Sequence, residues 1–183
     1  MFSTFRNTTL ATIVAGLAMA MTGHAVAGDL PKEGTFTLTS YYHDVWDAIE
    51  TTPKRYTWTW ETYGIRTNDA GSGFGHKVGF HCIGSGGNTN AEGGNRNIGY
   101  CVNIDADGDR FATQVEDWQS RSGEHKLGEV TFIDGTGKYA GIQGKATMTF
   151  DNPCLHFATP TQHGSGLCIN HAQGSYKLTG AAQ

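Results

Sequence analysis

Three aspartates and one glutamate have the spacing of a calcium-binding loop. Asp105, Asp107 and Asp109 alternate along the chain, and Glu116 stands at the twelfth position counted from Asp105. Carboxylates at such positions are the ligands that an EF-hand uses for Ca²⁺. However, Arg110 occupies the sixth position, where that loop needs glycine, and the residues after it alternate like a strand. The segment is therefore interpreted as a hairpin turn, with a calcium site of surface carboxylates as the alternative.

Seven histidines follow position 27, and none of them forms an H-E-x-x-H motif or an i, i+2 pair; they are His43, His76, His81, His125, His156, His163 and His171. The last three surround one long segment, so two of them could converge on a transition metal. Scattered histidines with structural roles are the favoured interpretation. The sequence therefore assigns no metal ligands and no cofactor.

The four cysteines are Cys82, Cys101, Cys154 and Cys168. An even number in an exported chain is typical of two disulfides, which four cysteines can form in three ways. The sequential pairing is favoured because each bridge then closes one long loop that contains glycine, for roughly 3 kcal/mol each. A zinc site of four thiolates is the alternative, but separations of 19, 53 and 14 residues include no close pair. Paired cysteines leave no reactive thiol, G-x-S-x-G is absent, and no catalytic residue is assigned.

An aromatic stripe marks the strongest strand pattern, at 56–63. Tyr56, Trp58 and Trp60 fall on one face of this strand, and Glu61 falls on the other. Binding pockets are largely apolar and aromatic, so the three aromatic residues are the candidate ligand-binding residues. The favoured interpretation of the stripe, however, is that it fills the core or contacts a second subunit, with ligand contact as the alternative. In a barrel of the opposite sense, Glu61 would face inward and become a catalytic candidate.

The segment 134–144 contains four glycines and lies between two alternating runs. Gly135-x-Gly137-x-x-Ala140 formally fits a dinucleotide-binding loop, but no helix or βαβ unit follows it, so phosphate binding is rejected. Glycine at this density lets the backbone turn sharply or approach another backbone closely. The segment therefore predicts a corner between two strands, with Tyr139 and Ile142 packed onto the core.

The alternation predicts eight strands, at 34–42, 56–63, 76–83, 99–105, 110–118, 127–134, 145–151 and 171–178. A weak pattern suggests a helical turn at 44–52, and long loops are expected at 84–97 and 152–170. The fold class is all-β, and sequential hairpins with an even strand number favour an eight-stranded antiparallel barrel, lipocalin-like in architecture, over a sandwich. Such a barrel is nearly filled by side chains or holds one small ligand.

The first 27 residues are predicted to be a cleaved signal peptide, followed by a single β-barrel domain at 28–183. Arg6 precedes an apolar run at 10–21, and Ala25-Val26-Ala27 supplies the cleavage pattern. Cleavage leaves 156 residues with twelve Lys/Arg against seventeen Asp/Glu, a net charge of −5. With no basic cluster and no second apolar run, we expect a periplasmic or secreted protein that binds no nucleic acid and has no membrane anchor.

Three motifs resemble those of bacterial exported proteins with an allene-oxide-cyclase-like barrel, the superfamily that includes the dirigent proteins. The motifs are the glycine-rich run at 135–144, Cys82-x-Gly84, and the segment from Tyr100 to Asp109. The resemblance covers residues 56–178 and implies an eight-stranded antiparallel barrel. Plant cyclases of this superfamily guide an oxidised fatty acid inside the barrel, and dirigent proteins steer phenoxy-radical coupling. None of the cyclases' polar pocket residues can be matched here, so the resemblance assigns no catalytic role.

The sequence thus favours an exported, disulfide-stabilised barrel that binds a small apolar or aromatic ligand or a protein partner without catalysis. The alternative is a cyclase- or isomerase-type enzyme that acts on a hydrophobic substrate inside the barrel. A buried ionisable side chain in the interior would favour that enzyme. A second alternative is a subunit of a structural assembly, such as a homo-oligomer, with the aromatic stripe at its interface.

Overall fold

Nine β-strands arise from the alternating segments in a computed structural model, which describes residues 30–88, 95–119, 127–150, 154–156 and 163–180. The predicted signal peptide at 1–27 lies outside these residues. The strands are β1 (Glu33–Thr52), β2 (Arg55–Asn68), β3 (Val78–Asn88), β4 (Asn95–Ile104), β5 (Arg110–Gln119), β6 (Leu127–Gly135), β7 (Ile142–Phe150), β8 (Leu155–His156) and β9 (His163–Leu178). No helix among the described residues has the length and apolar character needed to cross a membrane.

The strands close into a barrel. Each of β1 to β7 pairs antiparallel with its neighbour in sequence, β7 pairs with β9, and β9 pairs back onto β1 from Glu33↔Lys177 to Asp47↔His163. The two-residue β8 lies beside β9 beyond the end of β7. The predicted eight-stranded antiparallel barrel is therefore confirmed, with β8 as a small addition.

The strands are longer than the sequence patterns indicate. The helical turn expected at 44–52 is wrong, because this segment continues β1 and pairs with both β2 and β9. Hydrogen bonding on both sides outweighs a weak local preference for a helix. The loop expected at 84–97 is mostly strand, and the one at 152–170 gives way to β9 at His163; residues 89–94, 151–153 and 157–162 lie outside the described part of the chain.

One end of the barrel is filled by a hydrophobic core. Phe74, from the β2–β3 connection, stacks on Tyr176 with ring centroids 4.4 Å apart and lies 5.3 Å from Phe111. The other members are Phe36, Leu38, Val78, Val130, Phe132, Tyr139, Ile142, Ala146, Met148 and Ala172. Since Phe74 is only 3% exposed, its connection acts as a plug that closes this end.

The glycine-rich segment forms the predicted corner between β6 and β7. It contains a short 3₁₀ helix at Gly137–Tyr139, and the side chains of Tyr139 and Ile142 are both 2% exposed. Lys138 extends from this helix and forms ion pairs with Asp105 at 2.8 Å and Asp107 at 2.6 Å. The corner is therefore held by its neighbouring β4–β5 turn as well as by the core.

Both disulfides have the predicted pairing. Cys82 and Cys101 stand directly opposite each other on β3 and β4, with Cα atoms 4.0 Å apart. Cys154, immediately before β8, is joined to Cys168 on β9. The first bridge therefore joins two adjacent strands of the barrel. The second bridge attaches the segment that contains β8 to β9, near the barrel end opposite the plug.

Candidate ligand-binding cavity

A cavity of about 680 Å³ lies inside the barrel. It extends from the plug toward the end where β1 turns into β2, which we call the mouth, and inward-facing side chains from the eight barrel strands line it. Cavities that bind small molecules range from about 300 to 1,000 Å³. An eight-stranded barrel with this interior has room for one small ligand.

The predicted aromatic stripe lies on the wall of this cavity. Tyr56, Trp58 and Trp60 are half-buried on the inner face of β2, near the mouth. Their side chains are turned away from the outer surface, where a second subunit would lie. Trp46 joins them from the end of β1, in the segment that the sequence patterns did not predict as strand.

Three of these aromatic residues are paired with glycines on the neighbouring strand. The cross-strand pairs are Trp46–Gly164, Trp58–Gly86 and Trp60–Gly84. A Cβ atom added to any of the three glycines would overlap the indole of its partner. The rings therefore occupy the space that side chains would take on the wall. As a result, the cavity near the mouth is bounded by aromatic surface and is not filled by it.

Polar side chains on the wall are hydrogen-bonded to each other. Thr62 donates to Asp44 at 2.6 Å. Asn97 accepts from the Trp58 indole at 2.5 Å and donates to Asp117 at 2.7 Å. These bonds fix the Trp58 ring and give each carboxylate a partner, as buried polar groups require.

The Tyr42 hydroxyl is held in its neutral form. Burial raises its pKa, the carboxylates of Asp44 and Asp117 raise it further, and a hydrogen bond with Asn170 opposes them. The cavity therefore contains a phenol that stays protonated at neutral pH. The phenol of Tyr42 and the carboxylates of Asp44 and Asp117 show that the cavity lining is not purely apolar.

Arg66 brings a positive charge to the deep part of the cavity. It stands on the inner face of β2, paired with Ser40 on β1 and Val78 on β3, and its guanidinium lies 4.3 Å from the centroid of the Phe80 ring. Burial lowers its pKa to about 10, so it remains charged at neutral pH. The sequence patterns end the second strand at residue 63, so Arg66 was not predicted to face the interior.

Glu61 lies on the outer surface, as the favoured strand orientation predicted. Its carboxylate accepts hydrogen bonds from Tyr63 and from His81, the latter at 2.7 Å. The bond from Tyr63, followed by the one from His81, keeps the pKa of Glu61 below its usual value. The alternative in which Glu61 faces inward as a catalytic acid is therefore wrong.

The aspartates of the proposed calcium loop are engaged with protein groups. Asp105 accepts from the backbone amides of Asp107 and Asp109 at 2.9 and 3.1 Å, and Asp109 accepts from the Lys138 amide at 3.1 Å. Together with the Lys138 ion pairs, these bonds make the segment a hairpin turn. Within the described ranges, no three His, Cys, Asp or Glu side chains are grouped so that they could hold a metal ion.

The histidines around the second disulfide make separate contacts. His163 contacts Asp47 at the mouth, and His171 lies 3.0 Å from the Thr39 hydroxyl. His156 is part of β8, beside Gly166. Among the described side chains, neither His163 nor His171 belongs to a group that could hold a metal ion.

Comparisons with known proteins agree with the barrel. No protein-family model matches the sequence, and no curated protein is significantly similar to it. Among solved structures, the chain is similar to the pterocarpan synthase dirigent protein GePTS1, with a TM-score of 0.51 and 13% sequence identity over 81% of this chain and 93% of that one. At this identity the likeness shows the fold. The chain therefore has a barrel fold similar to that of this dirigent protein, in agreement with the eight-stranded antiparallel barrel that its motifs implied.

Proposed function

We propose that this protein is an exported barrel that binds one small apolar or aromatic ligand inside its cavity without catalysis. The observation that supports this most strongly is the arrangement of Trp46, Trp58 and Trp60 against three glycines, which keeps the cavity open between aromatic surfaces. A structural core would be better packed if the same space were filled. Ligand contact by Tyr56, Trp58 and Trp60 is part of this proposal.

Export is supported by the two disulfides, which persist in oxidising compartments. We place the protein in the periplasm or outside the cell, as a single domain at 28–183 after removal of a signal peptide. Intact mass analysis of the exported protein tests this. A chain beginning at Gly28 with four oxidised cysteines is expected, and retention of residues 1–27 would contradict it.

Native mass spectrometry tests the binding proposal. Protein purified from a periplasm is incubated with N-phenylnaphthylamine, a neutral aromatic probe, and its mass is measured with and without denaturation. We expect one probe or one copurified molecule per barrel, released when the protein unfolds. A barrel that stays empty under both conditions would count against ligand binding.

A cyclase or isomerase that acts inside the barrel is the second candidate. It is favoured by the ionisable side chains on the cavity wall, Tyr42, Asp44, Arg66 and Asp117. Recovery and chromatography of the bound molecule after incubation distinguish binding without catalysis from a cyclase or isomerase. An unaltered compound supports binding alone, whereas an isomer of unchanged mass and different chromatographic retention would establish the enzyme.

Subunit assembly is the third candidate, and the outer surface favours it. Exposed apolar side chains cover the outer face of β9 and β1 to β4; they are Tyr41, Ile49, Tyr63, Ile65, Ile83, Ile98, Tyr100, Val102, Ile104, Leu167 and Ile169. Cross-strand pairs such as Tyr41↔Ile65 and Ile83↔Tyr100 make this face continuous. Sedimentation analysis is expected to show a homo-oligomer if this face is an interface, and a monomer at all concentrations would exclude it.

A further inference from the structure

The deep part of the cavity contains a cation that the described part of the chain does not neutralise. The Nε atom of Arg66 is buried and has no hydrogen-bond partner. The ion pairs among the described residues involve other cations, and desolvation alone shifts the Arg66 pKa. A buried charge is costly unless it is paired.

The guanidinium is held in place although no described residue supplies it with a counter-ion. Its contact with the Phe80 ring, 4.3 Å from the centroid, fixes one face of the planar group. Its strand neighbours on either side, Ser40 and Val78, are buried and carry no charge. The N–H edges of a guanidinium fixed in this way match the two oxygens of a carboxylate.

The rest of the cavity suits an aromatic group attached to such a carboxylate. The mouth is lined by the indoles of Trp46, Trp58 and Trp60, and their surfaces suit a flat aromatic body. The carboxylates of Asp44 and Asp117 belong to the wall between Arg66 and the mouth, where Thr62 and Asn97 bind them. These carboxylates disfavour a second anion near the mouth, so the charge of the ligand is directed toward Arg66.

We propose that the cavity takes aromatic carboxylates, with the acid group bound by Arg66 at the deep end and the aromatic body directed toward the tryptophans of the mouth. This inference rests on the proposed ligand-binding function and specifies the chemical class of the ligand. A carboxylate there would supply the charge partner that the guanidinium lacks. Charge-assisted hydrogen bonds of this kind are stronger than those to a neutral amide.

Calorimetric titration with matched ligand pairs tests the proposal. The pairs are naphthaleneacetate with naphthaleneacetamide, and indoleacetate with indoleacetamide. Within each pair, an NH₂ group replaces the charged oxygen of the carboxylate. We expect the wild-type protein to bind a carboxylate about tenfold more tightly than its amide. Arg66→Met should bring the two affinities to within about twofold, because the carboxylate loses more binding free energy than the amide does.

The outcomes separate this inference from the proposed function. If amide and carboxylate bind equally to the wild-type protein, the role of Arg66 is refuted and ligand binding stands. If neither member of either pair binds but N-phenylnaphthylamine does, the aromatic-carboxylate class is refuted and ligand binding stands. If N-phenylnaphthylamine does not bind either, both are refuted. Arg66→Lys keeps the charge without the planar fork and should retain part of the preference. A preference undiminished in Arg66→Met or in Arg66→Gln would also overturn the role of Arg66, and the wild-type comparison requires no variant to fold.

Discussion

Trp46 stands opposite Gly164 where β1 and β9 close the barrel, and the indole occupies the position that a Cβ atom on Gly164 would take. The same relationship recurs at Trp58 with Gly86 and at Trp60 with Gly84. Three such pairs near one mouth explain how a barrel with large aromatic residues on its inner face still has a cavity. The glycines determine where the rings lie, and the rings determine the shape of the cavity.

Gly164→Ala should therefore weaken ligand binding. The three heavy atoms nearest to the added methyl group all belong to the Trp46 ring, so this ring would have to move. Overpacking of this kind costs about 1–3 kcal/mol, so we expect the affinity for N-phenylnaphthylamine to fall about tenfold. Fluorescence titration measures this. Gly79→Ala is the control, because its methyl group would have no atom closer than 3.8 Å, and it should bind as wild type does. Equal affinity in both variants would contradict the role of Gly164.

Arg66→Met should stabilise the protein when no ligand is bound. Burial lowers the pKa of the guanidinium from its ordinary value to about 10, so the folded state bears a cost for carrying the charge at neutral pH. Each pKa unit equals about 1.4 kcal/mol, and methionine forgoes the cation–π interaction with Phe80, so a gain of about 1–3 kcal/mol is expected. Chemical denaturation measures it. Arg55→Met, at an exposed position of the same strand, should change little, and a loss of stability in Arg66→Met would show that Arg66 serves the fold.

Lys138→Met should destabilise the closed end by about 1–3 kcal/mol, because it leaves the Asp105 carboxylate, whose side chain is 6% exposed, without its cation. Lys145→Met is the matched control. Its ion pair with Glu129 is exposed on both sides, and less than about 1 kcal/mol is expected from its loss. Thermal and urea unfolding compare the two. Equal effects would contradict the structural role of the Lys138 contacts.

The same ion pair predicts how stability depends on pH. Burial acts to raise the pKa of Asp105, but hydrogen bonds from Lys138 and the Asp107 amide outweigh it, and the pKa lies below its usual value. Burial acts to lower the pKa of Lys138, yet its bonds to Asp105 and Asp107 leave it raised. Stability from Asp105 is therefore present above about pH 4 and lost as pH falls through its folded pKa. Stability from Lys138 is present below about pH 10 and lost at higher pH. Asp105→Asn should flatten the acid limb of the stability curve, and an unchanged acid limb would refute this assignment.

Removal of the Cys82–Cys101 bridge should lower the free energy of unfolding by roughly 3 kcal/mol, since it closes a loop of 19 residues. The double variant Cys82→Ala/Cys101→Ala tests this by urea unfolding. The barrel should still form, because β3 and β4 remain paired from Gly79↔Ile104 to Asn88↔Asn95. Loss of the β-sheet circular dichroism spectrum at low urea would contradict this.

The sequence predicts the barrel well because strand alternation and turn chemistry act locally. Tyr139 and Ile142 pack onto the core as the glycine-rich corner predicts, and the disulfides join the cysteines that flank long segments. The ends of the strands near the mouth were harder to predict. Gly84 and Gly86 suggest a loop when they are taken alone, but each lies beneath a tryptophan of β2. This cross-strand compensation is not visible within either segment.

The same limitation explains which cavity residues escaped prediction. Asp44, Arg66 and Asp117 are charged, and alternation rules place charged residues on the outside. Near the mouth, β1 has the opposite arrangement, with a polar residue inside and an apolar one outside. Asp44 faces the cavity there, and Ile49 is 69% exposed. The aromatic stripe of β2 was predicted because its own alternation is strong. Trp46 was not, because its segment resembles a helical turn until its pairing with β2 and β9 is known.

Binding of N-phenylnaphthylamine to the wild-type protein and to two neighbouring variants tests the cavity proposal most directly. Ala48 lines the mouth and Ile49 faces solvent on the same strand, so Ala48→Phe blocks the cavity and Ile49→Phe does not. We predict saturable fluorescence with one probe per barrel in the wild-type protein and in Ile49→Phe, and an affinity at least about tenfold weaker in Ala48→Phe. Absence of saturable binding, or equal binding by all three proteins, would contradict a ligand site inside the barrel.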